Sequence, residues 1–220
     1  GLTFEGPIEI DGKELTIQSR DTGIPVTIDG SNTNRGFTIT NNASVTLSGL
    51  RITNCSTNTG VGGIYAKNTT LTIRETEIAS NTAPRIGGLF VNGTALTIEN
   101  STITENSASL EGLGDMGGIG IALSERVLIT NSVIASNTAA NNGGGIYLAY
   151  STATLYGNTI RNNDAGNQGG GIWTSTSTIY NANNEAWRQF NSPAAGTDFV
   201  EHNTSSNNTY SGNSARAYPE

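Results

Sequence analysis

Residues 62–86 read GGIYAKNTTLTIRETEIASNTAPRI. Three short β-like pieces lie inside this stretch. Ile64-Tyr65-Ala66 follows the glycines, Leu71-Thr72-Ile73 comes next, and an I-x-x-N element runs from Ile78 to Asn81. The same order returns in 87–108, 117–139 and 144–165. Each Gly-Gly pair is followed by an apolar residue: Ile64, Leu89, Ile119, Ile146 and Ile172, spaced 25, 30, 27 and 26 apart. A fixed period in this range marks a repeat architecture. Three such strands in one period leave room only for tight corners. A βαβ unit needs a crossover of about a dozen residues, usually a helix, and no 3.6-residue apolar period appears. The spacing predicts an all-β chain: a right-handed parallel β-helix, a three-sided solenoid of about seven turns of about 26 residues.

Stacking the turns produces columns. Inward apolar positions recur in the second strand at Leu47, Ile73, Ile98, Ile129, Leu155 and Ile179. They recur in the third at Ile52, Ile78, Ile103, Ile134 and Ile160. Three residues after the third-strand Ile stands an Asn: Asn81, Asn106, Asn137 and Asn163. Stacked amides at a corner hydrogen-bond along the axis and satisfy turn carbonyls, so these four are expected to form a structural ladder. Cys55, the single cysteine, holds the equivalent place one turn earlier and is expected to be a small buried residue ending that ladder. The glycine pairs are expected where the backbone needs positive φ or close approach of neighbouring turns. Looser copies of the repeat occupy residues 8–52, and Tyr210, Asn213 and Ala215 repeat the I-x-x-N-x-A element. We read residues 1–220 as one domain with loop insertions at 109–116 and 181–203, and as a piece of a longer protein or one capped by flanking domains, because solenoid ends need covers.

I-x-x-N-x-A followed by G-G-[IL] resembles the repeats of chlamydial polymorphic outer-membrane proteins, over roughly residues 37–180. Asn81, Asn106, Asn137 and Asn163 match the Asn of that family's FxxN motif, and the five glycine pairs match its glycines. Ile replaces the family's Phe, and Ile or Leu replaces the Ala after Gly-Gly. The pattern is similar also to bacterial and archaeal surface proteins with right-handed parallel β-helix repeats. The resemblance implies the fold, an extracellular or cell-surface setting, and adhesion by analogy.

A repeat assigns most residues to structure, so specific chemistry must come from columns or departures. The net charge of −7 and pI near 4.7 argue against nucleic acid. No run of 18 apolar residues is present to span a membrane. A lone Cys and the absence of Asp-x-Asp spacing predict no metal and no cofactor. The acids are scattered, with Glu75, Glu77 and Glu99 the nearest to a group, so no catalytic residues are assigned. The outward column of the first strand reads Tyr65, Phe90, Gly120, Tyr147, Trp173. Aromatics in register are expected to form a flat apolar strip, a binding surface for a polysaccharide or for a host or cell-surface protein. Aromatic cross-turn stacking explains the same column structurally. The 181–203 insertion contributes Trp187, Arg188 and His202 as further candidate ligand contacts. A second outward column, Thr46, Thr72, Thr97, Thr154 and Thr178, is the face an ice-binding solenoid would use; β-propensity of Thr explains it too. The primary reading is a non-catalytic adhesin or stalk that binds carbohydrate through the aromatic column. A polysaccharide lyase or hydrolase using the 181–203 loop and an ice-binding protein are the alternatives. The oligomeric state stays open.

Overall fold

A computed structural model describes residues 2–3, 7–20, 23–58, 60–110, 116–180, 186–187 and 208–215. The chain winds into a parallel β-helix with three main faces. The first face stacks seven strands: Ile8–Asp11, Phe37–Thr40, Ile64–Lys67, Leu89–Asn92, Ile119–Ala122, Ile146–Ala149 and Ile172–Ser175. The second runs from Glu14–Gln18 through Thr70–Arg74 to Thr178–Tyr180, and the third from Leu2–Thr3 through Glu77–Ala79 to Thr209–Ser211. About six turns are complete, and a seventh begins with Ile172–Ser175 and Thr178–Tyr180. Between the third face and the next first face lies a narrow fourth sheet of two-residue strands, Thr82–Ala83, Ser107–Ala108, Thr138–Ala139, Asp164–Ala165 and Ser214–Ala215. It holds the small Ala column that follows the Asn ladder.

The interior is the set of inward apolar columns. Ile64, Leu89, Ile119, Ile146 and Ile172 stack on the first face, and Leu47, Ile73, Ile98, Ile129 and Leu155 on the second, all buried. One predicted register shifts. Ile179 pairs with Ala153 rather than Leu155, and Thr178 pairs with Thr152 rather than Thr154. Thr178 therefore leaves the outward Thr column, and Tyr180 takes its place. The L-T-I element that fixes the register in earlier turns is absent from Thr176–Tyr180, and the corner after Ser175 sets the pairing instead.

Both insertions extend the chain without disturbing register. Ile98 still pairs with Ile129 across the first, and Ile160 with Tyr210 across the second. Within the second insertion, Ala186–Trp187 runs antiparallel to Thr178–Tyr180, with Trp187 opposite Ile179. An antiparallel strand there ends the parallel stacking of the second face and occupies its hydrogen-bonding edge.

Most corners turn on one residue in the left-handed region, and in the middle turns a buried polar side chain follows it. Glu75, Asn100 and Asn131 turn the second corner, and Thr76, Ser101 and Ser132 follow them. Leu123, Tyr150 and Thr176 turn the first, and Ser124, Ser151 and Ser177 follow. Ser80, Glu105, Ser136 and Asn162 turn the third, ahead of Asn81, Asn106, Asn137 and Asn163. Three ladders result. In the expected one, the Asn81 amide Nδ2 donates to Asn106 Oδ1 at 2.9 Å and to the Ile52 carbonyl at 3.1 Å, and its backbone N–H donates to Asn106 Oδ1 at 3.1 Å. Hydroxyl ladders at the other corners repeat the device: Thr94 N–H donates to Ser124 Oγ, Ser124 N–H to Ser151 Oγ, Thr76 N–H to Ser101 Oγ. The glycine pairs answer to close approach. A Cβ on Gly62 would sit 2.7 Å from the Gly87 carbonyl oxygen, and one on Gly88 would collide with the carbonyl of Gly118.

Candidate functional site

The first face carries its outward column in the predicted register, Tyr65, Phe90, Gly120, Tyr147 and Trp173 on five successive turns. Strand alternation aims these side chains away from the core. The rings do not form the expected flat strip. Tyr147 and Trp173 lie 4.3 Å apart between centroids with planes 20° from parallel. Rings side by side in one plane would overlap at that distance, so the two are stacked face to face along the axis. Their edges look outward, and their facing surfaces cover each other. Tyr65 and Phe90 are looser, at 6.1 Å and 22°.

Gly120 leaves a notch between the two pairs, and Met116 fills it. A Cβ on Gly120 would run into Met116 Sδ and approach Phe90 Cδ2 to 3.0 Å. Met116 closes the 109–116 insertion and takes φ 74°, where the next two turns use Gly143 and Gly169 at φ 70° and 67°. A non-glycine residue in this region costs about 1–2 kcal/mol. The insertion thus holds a polarizable thioether against the aromatic column, a favourable contact for sulfur. Arg35 closes the other end. Its guanidinium lies 5.4 Å from the Tyr65 ring centroid, donates from Nε to the Val61 carbonyl at 2.9 Å, and from Nη1 to Thr38 Oγ1 at 3.1 Å. Burial pushes the Arg35 pKa down, opposed by Tyr65 and Glu9.

Where the column is loosest it opens. A pocket of about 200 Å³ is walled by Tyr65, Phe90, Met116, Val61 and Ile86, with the exposed Arg85 at its edge. Met116, Arg35 and Arg85 escape a column reading because none stands at an outward strand position. The signal for Met116 was the pairing of an aromatic gap with an insertion ending just before Gly117.

A larger open depression of about 790 Å³ lies on the opposite side, between residues 18–20 and 23–25 and the second corner. Among the described residues its carboxylates are Glu75 and Glu77, and Glu77 is engaged by Arg51 at 3.4 Å. Glu99 is engaged likewise by Arg74 at 3.0 Å. The acids nearest to a group in the sequence are therefore largely tied to arginines one turn earlier. Among the described residues, no group of three or more His, Cys, Asp or Glu is gathered to hold a metal ion. Cys55 is buried at the head of the Asn ladder, its backbone N–H donating to Asn81 Oδ1 at 2.9 Å. Burial pushes its thiol pKa up to about 12, which keeps it protonated and inert near neutral pH.

The outward Thr column holds Thr16, Thr46, Thr72 and Thr97 on four turns, then Leu128, Thr154 and Tyr180. Two residues along each strand stand Ser48, Arg74, Glu99, Thr130 and Tyr156, including the Arg74–Glu99 ion pair. Charged and bulky neighbours roughen the face that an ice lattice would need flat. Arg188 and His202, and the side chain of Trp187, lie outside the described residues.

The model of the family described as right-handed β-helix region matches residues 87–218. The chain belongs to this right-handed β-helix family. No curated protein and no solved structure matches it significantly. Family membership agrees with the parallel stacking and the in-register columns above. Among the described residues of this β-helix, no helix is long and apolar enough to cross a membrane.

Proposed function

We propose that this β-helix is a non-catalytic extracellular or cell-surface segment, an adhesin or stalk, that binds carbohydrate on its first face. The observation that carries the reading is the outward aromatic column, open beside Tyr65, Phe90 and Met116 and closed between Tyr147 and Trp173. Aromatic and thioether walls beside an open pocket offer the apolar surface that sugar C–H groups pack against. The closed pair serves the stack itself. Among the described residues, Glu77 and Glu99 are each paired with an arginine, Arg51 and Arg74, which favours binding over glycoside chemistry at these acids. The likeness of the repeats to chlamydial adhesin repeats supplies the analogy for an adhesive setting.

Affinity electrophoresis against a panel of polysaccharides tests this reading. Wild type should be retarded by at least one. Tyr65→Ala/Phe90→Ala should lose that retardation, and Tyr147→Ala/Trp173→Ala should weaken it less. Migration unchanged by every polysaccharide would overturn the proposal. Reducing-end assays on the same sugars separate binding from the lyase or hydrolase alternative, because binding alone releases no new ends.

A further inference from the structure

We infer that the pocket beside Tyr65 and Phe90 receives the end of a glycan chain, and that this end is a single sugar ring carrying a carboxylate. The inference rests on the carbohydrate reading of the first face and names its ligand. Three observations carry it.

The first is size. At about 200 Å³ the pocket is smaller than the roughly 300–1,000 Å³ that drug-sized ligands occupy. It takes one ring, not a chain laid along the solenoid. The column on either side is shut, by Arg35 over Tyr65 and by Met116 in the Gly120 notch. A through-running polymer has no continuous trough here, whereas a chain end enters and stops.

The second is charge. The chain carries −7 overall, yet one cation lines this pocket and a second stands over its Tyr65 wall. Arg85 is part of its lining, and Arg35 stands over Tyr65. Arg51 and Arg74 on the neighbouring faces each meet a glutamate one turn away. Arg85 meets no carboxylate among the described residues and is solvent-exposed. A guanidinium with no carboxylate on it among the described residues, beside an apolar wall, suits a carboxylate, which it grips through two parallel N–H donors.

The third is the combination. The wall formed by Phe90, Tyr65, Ile86 and Met116 accepts the C–H face of a pyranose, and Arg85 fixes the acid at its rim. A small free carboxylate would use only the arginine. A neutral sugar would use only the wall.

Two matched pairs of probes test the inference: glucuronyl-cellobiose against cellotriose, and sialyl-lactose against the same trisaccharide with its carboxylate reduced to the alcohol. Within each pair the carboxylate at the chain end is the feature that matters. Titration by calorimetry or NMR should show at least one acid probe binding tenfold or more tighter than its neutral partner. Arg85→Gln should abolish that preference without changing the melting temperature, because the exposed side chain has no ion-pair partner among the described residues. Arg126→Gln, an exposed arginine removed from the second face with the same change in charge, should keep it. Free acetate should not compete at the concentrations where the acid probe binds. Equal binding within both pairs, an unchanged preference in Arg85→Gln, or an equal loss in Arg126→Gln would overturn the inference. If both acid probes fail while a neutral polysaccharide is still retarded through Tyr65 and Phe90, the end-sugar inference falls and the carbohydrate reading stands. If nothing binds, both fall.

Discussion

Asn106 shows how one side chain supports three turns. Its Oδ1 accepts the backbone N–H and the amide of Asn81, at 3.1 and 2.9 Å. Its Nδ2 donates to the Ile78 carbonyl at 2.9 Å and to Asn137 Oδ1 at 3.0 Å. It is fully buried, so no water replaces these bonds when they are lost. Asn106→Leu keeps the number and branching of the side-chain heavy atoms and removes the partners of the Asn81 N–H and the Ile78 carbonyl. Each unsatisfied buried group costs about 1–3 kcal/mol, so with two of them the variant should lose about 2–6 kcal/mol in urea unfolding. An unchanged midpoint would mean that the ladder is ornamental. Ser124→Ala, which removes one hydroxyl acceptor for Thr94 N–H, makes a milder comparison. The Asn ladder was legible in the sequence because Asn recurs at one spacing with one identity. The two hydroxyl ladders were not, because Ser, Thr and Asn alternate in them and the period hides behind the change of residue type. Physically the three are the same device, a short polar side chain accepting the N–H of the turn before.

At the scale of the element, the corner is the unit that the sequence disguises most. Most corners need one residue in the left-handed region. Gly and Asn adopt it cheaply, which accounts for much of the Asn and Gly richness of the chain. Leu123 and Tyr150 take the same place on adjacent turns, at φ 51° and 50°, with exposures of 59% and 60%. Neither side chain gains burial in return for its backbone. Leu123→Asn should therefore relieve strain and raise the urea midpoint by an amount equivalent to about 1 kcal/mol. A lower midpoint would show that Leu123 covers apolar surface that its exposure conceals. The strands between corners were easy to read, because period-two alternation and β-branched residues agree there. The one register error, at Thr178, falls where Thr176–Tyr180 lacks the L-T-I signature. The site was half legible for the same reason. Aromatics at outward strand positions are visible as a column, whereas Met116, Arg35 and Arg85 act from corners, whose side-chain directions no period announces.

For the molecule as a whole, each turn touches only its neighbours, so stability is a sum of turn terms and turn–turn interfaces. The two insertions are natural evidence of this independence. Partners stand 26 residues apart at Leu47 and Ile73 and 50 apart at Ile160 and Tyr210, and the ladder continues unbroken from Asn163 to Asn213 at 3.0 Å. A turn can therefore be removed if the cut respects the columns. Deleting residues 145–170 joins Gly144 to Gly171, which hold successive places in the glycine pair. Tyr147, Ile160 and Asn163 leave together, and Gly120, Ile134 and Asn137 meet Trp173, Tyr210 and Asn213 as new neighbours. The shortened chain should fold with β-sheet circular dichroism per residue unchanged and unfold at a lower urea midpoint, with a smaller dependence on denaturant because less surface is exposed. Deleting residues 145–157 removes about half a turn, with its first- and second-face strands, and carries the third-face strand Thr159–Arg161 into the first-face slot after Gly144. Inward isoleucines would then stack on outward threonines, since misplaced register carries apolar side chains to solvent. That variant should fail to fold. If both deletions fold, or both fail, cohesion does not reside in the columns, and the Asn and hydroxyl ladders would have to be re-read as consequences of the winding rather than its cause.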